Sequence, residues 1–240
     1  MPTRRPRRRT VLLAAAGVLA ALAVAAGVLA LGASRGWFDS GSVEGTSAGF
    51  EAGEAPRPAP AAGAWREYGF DARRTHANTG LDLPPPYRRL WRHDAGSLLE
   101  FPPVIANGRV VVGTNAGLAL ALDARTGREL WRAPLRGRVA ASPALTGGLA
   151  LFSTIRGDVV ALRAATGEEV WRRRVGSAVE SSPLVVDGDV YVGTLNGGVL
   201  RLDARSGGVR WRARTEGDVK ASLALSGPNV VVGDYAGHVT

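Results

Sequence analysis

Few residues in this chain of 240 have types and spacings suited to chemistry. The three histidines, His76, His93 and His238, are its natural metal ligands and general bases. None stands at metal-ligand spacing from another, so they read as surface or turn residues. Cysteine is absent, which removes the thiolate as nucleophile or ligand. Ser142-Pro143 and Ser181-Ser182-Pro183 lack the glycines of a nucleophile elbow and read as strand starts. The Gly-x-Gly patterns have no following helix to receive a phosphate. One set remains. Positions 100, 140, 180 and 220 carry Glu100, Ala140, Glu180 and Lys220, each three residues before Pro103, Pro143, Pro183 or Leu223. Charges of both signs at a fixed interval either build a shared polar surface or pair with one another. Exposed pairs of that kind contribute only about 0–1 kcal/mol.

The interval itself points to the elements that must position those charges. Trp91, Trp131, Trp171 and Trp211 are each 40 residues apart, as are Gly127, Gly167 and Gly207, and Gly117, Gly157, Gly197 and Gly237. A period of about 40 residues is one supersecondary unit repeated. Within the unit at 181–214, Leu184–Val186 and Val190–Val192 flank Asp187-Gly188, a two-residue hairpin signal. Asn107-Gly108, Gly147-Gly148 and Gly227-Pro228-Asn229 take the same place in the other units. A turn at Asn196-Gly197-Gly198, a strand at Val199–Leu202, a third turn and a strand carrying Trp211 complete four antiparallel strands. The expected fold is all-β: a β-propeller of four-stranded antiparallel blades, preceded by an N-terminal transmembrane helix. A β-solenoid is less suited, because its turns repeat at shorter periods.

The third turn carries the most specific motif: ALDARTGRELW (121–131), ALRAATGEEVW (161–171) and RLDARSGGVRW (201–211). Asp123 and Asp203, with Thr126, Thr166 and Ser206, can accept backbone hydrogen bonds within the turn. Gly127, Gly167 and Gly207 allow the left-handed backbone that ends it. Trp131, Trp171 and Trp211 supply large apolar bodies with a single N–H donor each, suited to packing between blades. Each of these roles is structural. The pattern A-x-D-x-x-T-G-x-x-x-W resembles the tryptophan-docking motif of pyrroloquinoline-quinone (PQQ)-like repeats, from about residue 88 to residue 240. Its first copy matches in full, the second has Arg163 for Asp, and the third has Ser206 for Thr. That group includes quinoprotein dehydrogenases, BamB-like assembly scaffolds and membrane-tethered proteins. A fold is identified this way far better than a function.

The remaining sequence divides into segments. Residues 1–9 form a basic cytoplasmic tail with Arg4, Arg5, Arg7, Arg8 and Arg9. Residues 10–33 form a transmembrane signal anchor. Its apolar core, Val11–Leu31, spans 21 residues, against about 20 for a membrane-spanning helix and about 7–15 for a signal-peptide core. Arginines on the N-terminal side alone place the N-terminus inside and the repeats outside the cell membrane. Leu31-Gly32-Ala33 is a weak cleavage site, so a secreted product is the alternative. Residues 34–64 read as a flexible Gly-, Ala- and Pro-rich linker and 65–240 as the repeats, with units ending near each tryptophan. Residues 65–92 are expected to give an entry segment and one strand of an earlier blade. The last unit stops just into a third strand after Gly237, which is the expectation for part of a longer propeller, since closure takes about 4–8 blades.

The formal net charge is +9, but the five arginines before the apolar run supply more than half of it. Arg-rich strands such as Trp171-Arg172-Arg173-Arg174 read as solvated blade faces, and no nucleic-acid partner is expected. In the PQQ-like propellers that the chain resembles, first strands line the central channel. The resemblance thereby places Glu100, Glu180 and Lys220 as a binding surface at one channel mouth, or Glu180 and Lys220 as an ion pair between blades. The functional expectation is a non-catalytic, membrane-tethered extracytoplasmic propeller, a BamB-like scaffold for an envelope or extracytoplasmic protein, with no cofactor. Without cysteine the chain has no lipobox. The alternative is a quinoprotein dehydrogenase using PQQ and calcium, or a cofactor-binding sensor domain. Enzymes of that kind commonly set a vicinal cysteine pair against the cofactor, and this chain has none.

Overall fold

The computed structural model describes residues 63–240. The predicted tail, transmembrane anchor and nearly all of the linker lie outside these residues. Among the described residues no helix is long and apolar enough to cross a membrane.

Each 40-residue unit folds into one antiparallel sheet. The first blade contains β1 (Val104–Ala106), β2 (Arg109–Gly113), β3 (Leu118–Asp123) and β4 (Glu129–Pro134), paired in chain order. The second contains β5 (Ala144–Thr146), β6 (Leu149–Ser153), β7 (Asp158–Arg163) and β8 (Glu169–Arg174). The third contains β9 (Leu184–Val186), β10 (Asp189–Gly193), β11 (Gly198–Asp203) and β12 (Val209–Arg214). β13 (Ala224–Ser226) and β14 (Asn229–Val231) begin a fourth, extended by an antiparallel bridge between Gly233 and Val239.

The first hairpin of each blade turns as its dipeptide dictates. Asn107-Gly108 and Asp187-Gly188 have φ of 51° and 72°, and 50° and 83°. Two consecutive positive φ angles match the right-handed twist of the flanking strands, and Asn, Asp and Gly reach them most readily. The third and fourth strands meet with a register shift at Ala121/Leu122, Ala161/Leu162 and Arg201/Leu202. The extra residue lets the outer strand bend and aims its tryptophan at the next blade.

Successive sheets pack face to face. One core joins Val104, Val111, Ala121 and Trp131 of the first blade to Ala150, Phe152, Val160 and Leu162 of the second. The next joins Leu151, Val159 and Ala161 to Val190, Val192, Leu200 and Leu202. A third joins Leu184, Tyr191 and Val199 to Val219, Leu223 and Val232. Central strands such as β6 and β7 are therefore buried on both faces, so they read as apolar runs and not as an alternation. The first strands β1, β5 and β9 touch one another in sequence, so they form the hub of the stack.

A serine ladder runs beside the hub. Ser142 N–H donates to Ser182 Oγ at 3.1 Å, and Ser182 N–H to Ser222 Oγ at 3.0 Å. The equivalent donor for Ser142 Oγ would be residue 102, but Pro102 has no N–H, and Ser142 Oγ is buried without a partner. Two serines with the same backbone position should therefore respond oppositely. Ser182→Ala strands a buried N–H and costs about 1–3 kcal/mol. Ser142→Ala removes an orphan hydroxyl and is neutral or stabilising by about 1 kcal/mol. Urea denaturation of the two variants checks the difference.

One sequence expectation needs correction. Residues 65–92 do not contribute a strand of an earlier blade: among them only Trp65 forms a β-bridge, with Ile105. Pro84, Pro85 and Pro86 remove three consecutive donors just before Trp91, so this stretch has poor means to join a ladder. Trp91 nevertheless docks as the repeat requires.

Candidate functional site

Three indoles dock on the blade that follows them in the same way. The Nε1–H of Trp91, Trp131 and Trp171 donates to the carbonyls of Ala124, Ala164 and Ala204 at 2.9, 3.0 and 2.9 Å. Each ring lies flush on the glycine of the following third turn. A Cβ on Gly127, Gly167 or Gly207 would stand 2.6, 2.7 or 2.6 Å from the indole, and all three glycines have positive φ. Both requirements exclude any side chain there. Asp123 Oδ1 accepts from Thr126 N–H and Oγ–H at 2.8 Å each, and Asp203 Oδ1 from Ser206 N–H and Oγ–H at 2.9 Å each. These bonds hold the Asp123 carboxyl below its usual range, and those from Ser206, with Arg210, bring Asp203 down to about 2. Thr166 N–H donates instead to the carbonyl of Arg163, which replaces the aspartate. Trp211 is partly exposed and meets Tyr191 edge-on, with ring centroids 6.0 Å apart.

The charged column is brought together, with an addition. Glu180 Oε2 lies 3.0 Å from Lys220 Nζ, raising the lysine above its ordinary range. Arg138 reaches Glu100 at 3.4 Å and Glu180 at 3.9 Å. The result is an alternating line, Glu100–Arg138–Glu180–Lys220, along the starts of the four blades. Arg138 was not legible as a member, because it stands two residues before Ala140, where the column lacks a charge. Both carboxylates are thus neutralised within the chain.

The histidines stay apart in their roles. His76 packs edge-on against Tyr68, His93 lies 3.7 Å from Glu129, and His238 stands 3.7 Å from Asp234. Among the described residues no three His, Asp or Glu side chains converge as a metal site.

The hub carries the largest feature that the sequence reading missed. Residues 64–76, the strap, cross the first strands of all four blades. Trp65 exchanges two backbone hydrogen bonds with Ile105, both 2.7 Å. Leu145 N–H donates to the Arg66 carbonyl at 2.7 Å, Val185 N–H to Glu67 Oε2 at 3.3 Å, and Leu225 N–H to the Ala72 carbonyl at 2.7 Å. Residues 105, 145, 185 and 225 are one repeat position, so the strap satisfies the same inner-edge amide in every blade. Arg74 then locks it. Its guanidinium donates to Glu67 Oε2 at 3.0 Å, to the carbonyls of Leu223 at 2.8 Å and Pro183 at 3.3 Å, and to that of Tyr68. Pro183 and Leu223 again share one repeat position.

Glu67 is 8% exposed. Burial pushes its carboxyl up from 4.5 to about 7, against the opposing pull of Arg74 and the Val185 N–H and with a small push from Asp71. Burial also lowers Arg74, so desolvation outweighs the ion pair for both partners. Because the folded pKa lies above the unfolded one, the stability contributed by protonating Glu67 is full below about pH 4.5 and is lost as pH rises through 7. Denaturant unfolding between pH 4.5 and 8 should show this decline in the parent protein and a flatter profile in Glu67→Gln.

Tandem four-stranded blades, tied by tryptophans seated on the glycines of the next turn, define the chain as a β-propeller protein of PQQ-like repeats. It belongs to the PQQ_2 family, described as outer membrane protein assembly factor BamB, whose model matches residues 85–154 and 143–240. Among solved structures it is similar to BamB from Moraxella catarrhalis, at 24% identity and a TM-score of 0.57, over 62% of this chain and 51% of that one. The chain thus spans about half the length of that relative. The computationally designed Ika4 protein matches with 19% identity and a TM-score of 0.57, over 65% of this chain and 97% of that one. The quinohemoprotein alcohol dehydrogenase from Comamonas testosteroni matches with 20% identity and a TM-score of 0.57, over 73% of this chain and 36% of that one. Likeness at these identities shows the fold alone. No curated protein matches the chain.

Proposed function

We propose that this protein is a non-catalytic, membrane-tethered extracytoplasmic propeller that binds another envelope protein on its blade faces. The observation that carries this reading is the state of the hub. The four inner-edge amides are taken by the strap, and the four rim charges are paired with one another. Both sets of groups that a small ligand in the channel would use are already engaged within the chain. Recognition is thereby left to the outer faces and to the exposed apolar residues Leu83, Tyr87, Leu90 and Leu98. Membership of the BamB family supports a protein partner, and the N-terminal apolar run supports the tether.

The quinoprotein reading draws its support from the likeness to quinohemoprotein dehydrogenases. A PQQ-plus-calcium titration of the full-length chain, followed by thermal shift, separates the two. No saturable shift is expected, whereas a photo-crosslinker at Tyr87 should trap a discrete envelope protein. Saturable stabilisation by PQQ would overturn the scaffold reading, since a ligand that binds only the folded state raises the melting temperature.

A further inference from the structure

The repeats supply their own reference for a binding site. In the second blade two arginines of the outer strand converge on one carboxylate. Arg174 Nη1 lies 3.3 Å from Asp158 Oδ1 and Arg172 Nη1 lies 3.7 Å from Asp158 Oδ2. Arg172 also grips Glu169 through two bonds of 3.2 and 2.7 Å and donates to the Leu135 carbonyl at 2.9 Å.

The third blade keeps both arginines, Arg212 and Arg214, and lacks both acids. Forty residues on from Asp158 stands Gly198, and forty on from Glu169 stands Val209. Where the Asp158 side chain would lie, the third blade has a cleft of about 320 Å³, bounded by Thr194, Asn196, Gly198, Arg212 and Arg214. Arg214 donates to the Asn196 carbonyl at 3.1 Å. Arg212 is exposed, and its side chain has no hydrogen-bond or ion-pair partner among the described residues. The first blade keeps the Arg132–Glu129 pair, with bonds of 3.1 and 2.8 Å, but has Leu118 and Pro134 at the Asp158 and Arg174 positions.

We infer that the cleft between Gly198, Arg212 and Arg214 is a carboxylate-binding site, in which a ligand carboxylate takes the position that Asp158 holds in the second blade. Guanidinium groups on one strand face present several N–H donors in a fixed plane, which suits a carboxylate better than a point charge would. The Thr194 hydroxyl, which accepts from Gly198 N–H at 2.9 Å, and the Asn196 side chain line the same opening. The ligand is an aspartate or glutamate side chain of a partner, or a free small carboxylate; the recognition chemistry is the same. The site stands independently of the scaffold reading.

The test uses the full-length protein and a blocked tetra-aspartate peptide, with blocked tetra-asparagine as the neutral control and acetate as competitor. Tetra-aspartate should bind the parent chain and tetra-asparagine should not. Arg212→Ala should weaken binding at least about tenfold, with an unchanged unfolding midpoint because Arg212 has no partner to lose. Gly198→Asp should abolish binding by restoring the internal carboxylate. The new Cβ would stand 2.6 Å from Thr194 Oγ1, so that side chain must turn. The second blade accommodates the same pair, with Asp158 N–H 3.2 Å from Thr154 Oγ1. Arg205→Ala, an exposed turn arginine, should change nothing. Competition by acetate at equal concentration marks a free carboxylate as the source, and its failure marks a peptide side chain. Undiminished binding in both Gly198→Asp and Arg212→Ala, or equal binding of tetra-asparagine, would overturn the site. Arg212→Gln keeps the test decisive if Gly198→Asp does not fold.

Discussion

Arg74→Ala should cost about 3–5 kcal/mol of stability at pH 8, the loss typical of breaking one side of a buried ion pair. The reason lies in what Arg74 holds at once. It neutralises Glu67, which is buried, and it donates to the Pro183 and Leu223 carbonyls of two successive blades. Removing it strands the carboxylate and leaves those hub carbonyls without their donor. The loss should be smaller at pH 5. Glu67 already titrates near 7 in the parent protein, and without Arg74 its pKa rises further, so protonation relieves the variant in acid. Urea unfolding at both pH values measures the difference. An equal loss at both would show that the carboxylate is not part of the penalty.

Trp131→Ala should cost a similar amount, about 3–5 kcal/mol. The indole is 8% exposed and belongs to the core between the first and second blades, and its N–H bond to Ala164 crosses the same interface. Deleting it opens a cavity between two sheets that cannot close without moving a whole blade. Trp131→Phe keeps most of the apolar body and loses the hydrogen bond, so about 1–2 kcal/mol is expected. Gly167→Ala attacks the other side of the contact. Its Cβ would meet the ring at 2.7 Å on a backbone with φ of 78°. Overpacking of that kind costs about 1–3 kcal/mol before backbone strain is added. Chemical denaturation of the three variants gives the ranking, and a Trp131→Ala protein as stable as its parent would refute the docking role.

Much of the fold was legible because the repeat makes each signal appear several times. Asp187-Gly188 marks a hairpin in any sequence, but its recurrence at 107–108 and 147–148 turns one local preference into blade boundaries. The tryptophan and glycine of the third turn gave the contact between blades for the same reason. The strap was hidden because it occurs once. Glu67 and Arg74 lie outside the period, and the contacts that define them reach 118 and 149 residues away, to Val185 and Leu223. The aromatic density of Trp65, Tyr68 and Phe70 beside a Pro-rich linker marked this segment as packed, but not as crossing every blade. Glu180 and Lys220 share one column of the repeat and are visible in it, but Arg138, two residues off the column, reaches it only through side-chain length. Pro102 and Gly198 were visible as departures from their columns. Their consequences, an orphan Ser142 hydroxyl and an unpaired Arg212, required the neighbouring blades in three dimensions.

Amide hydrogen exchange at Ile105, Leu145, Val185 and Leu225 in the full-length protein tests most directly whether the hub is committed to its own strap. Strong protection at all four, lost together in Arg74→Ala while Val111, Leu151 and Leu200 in the blade interiors stay protected, is the expected result. Fast exchange at these four positions in the parent protein would mean that the inner edge is open to a ligand and would contradict a hub closed by its own chain.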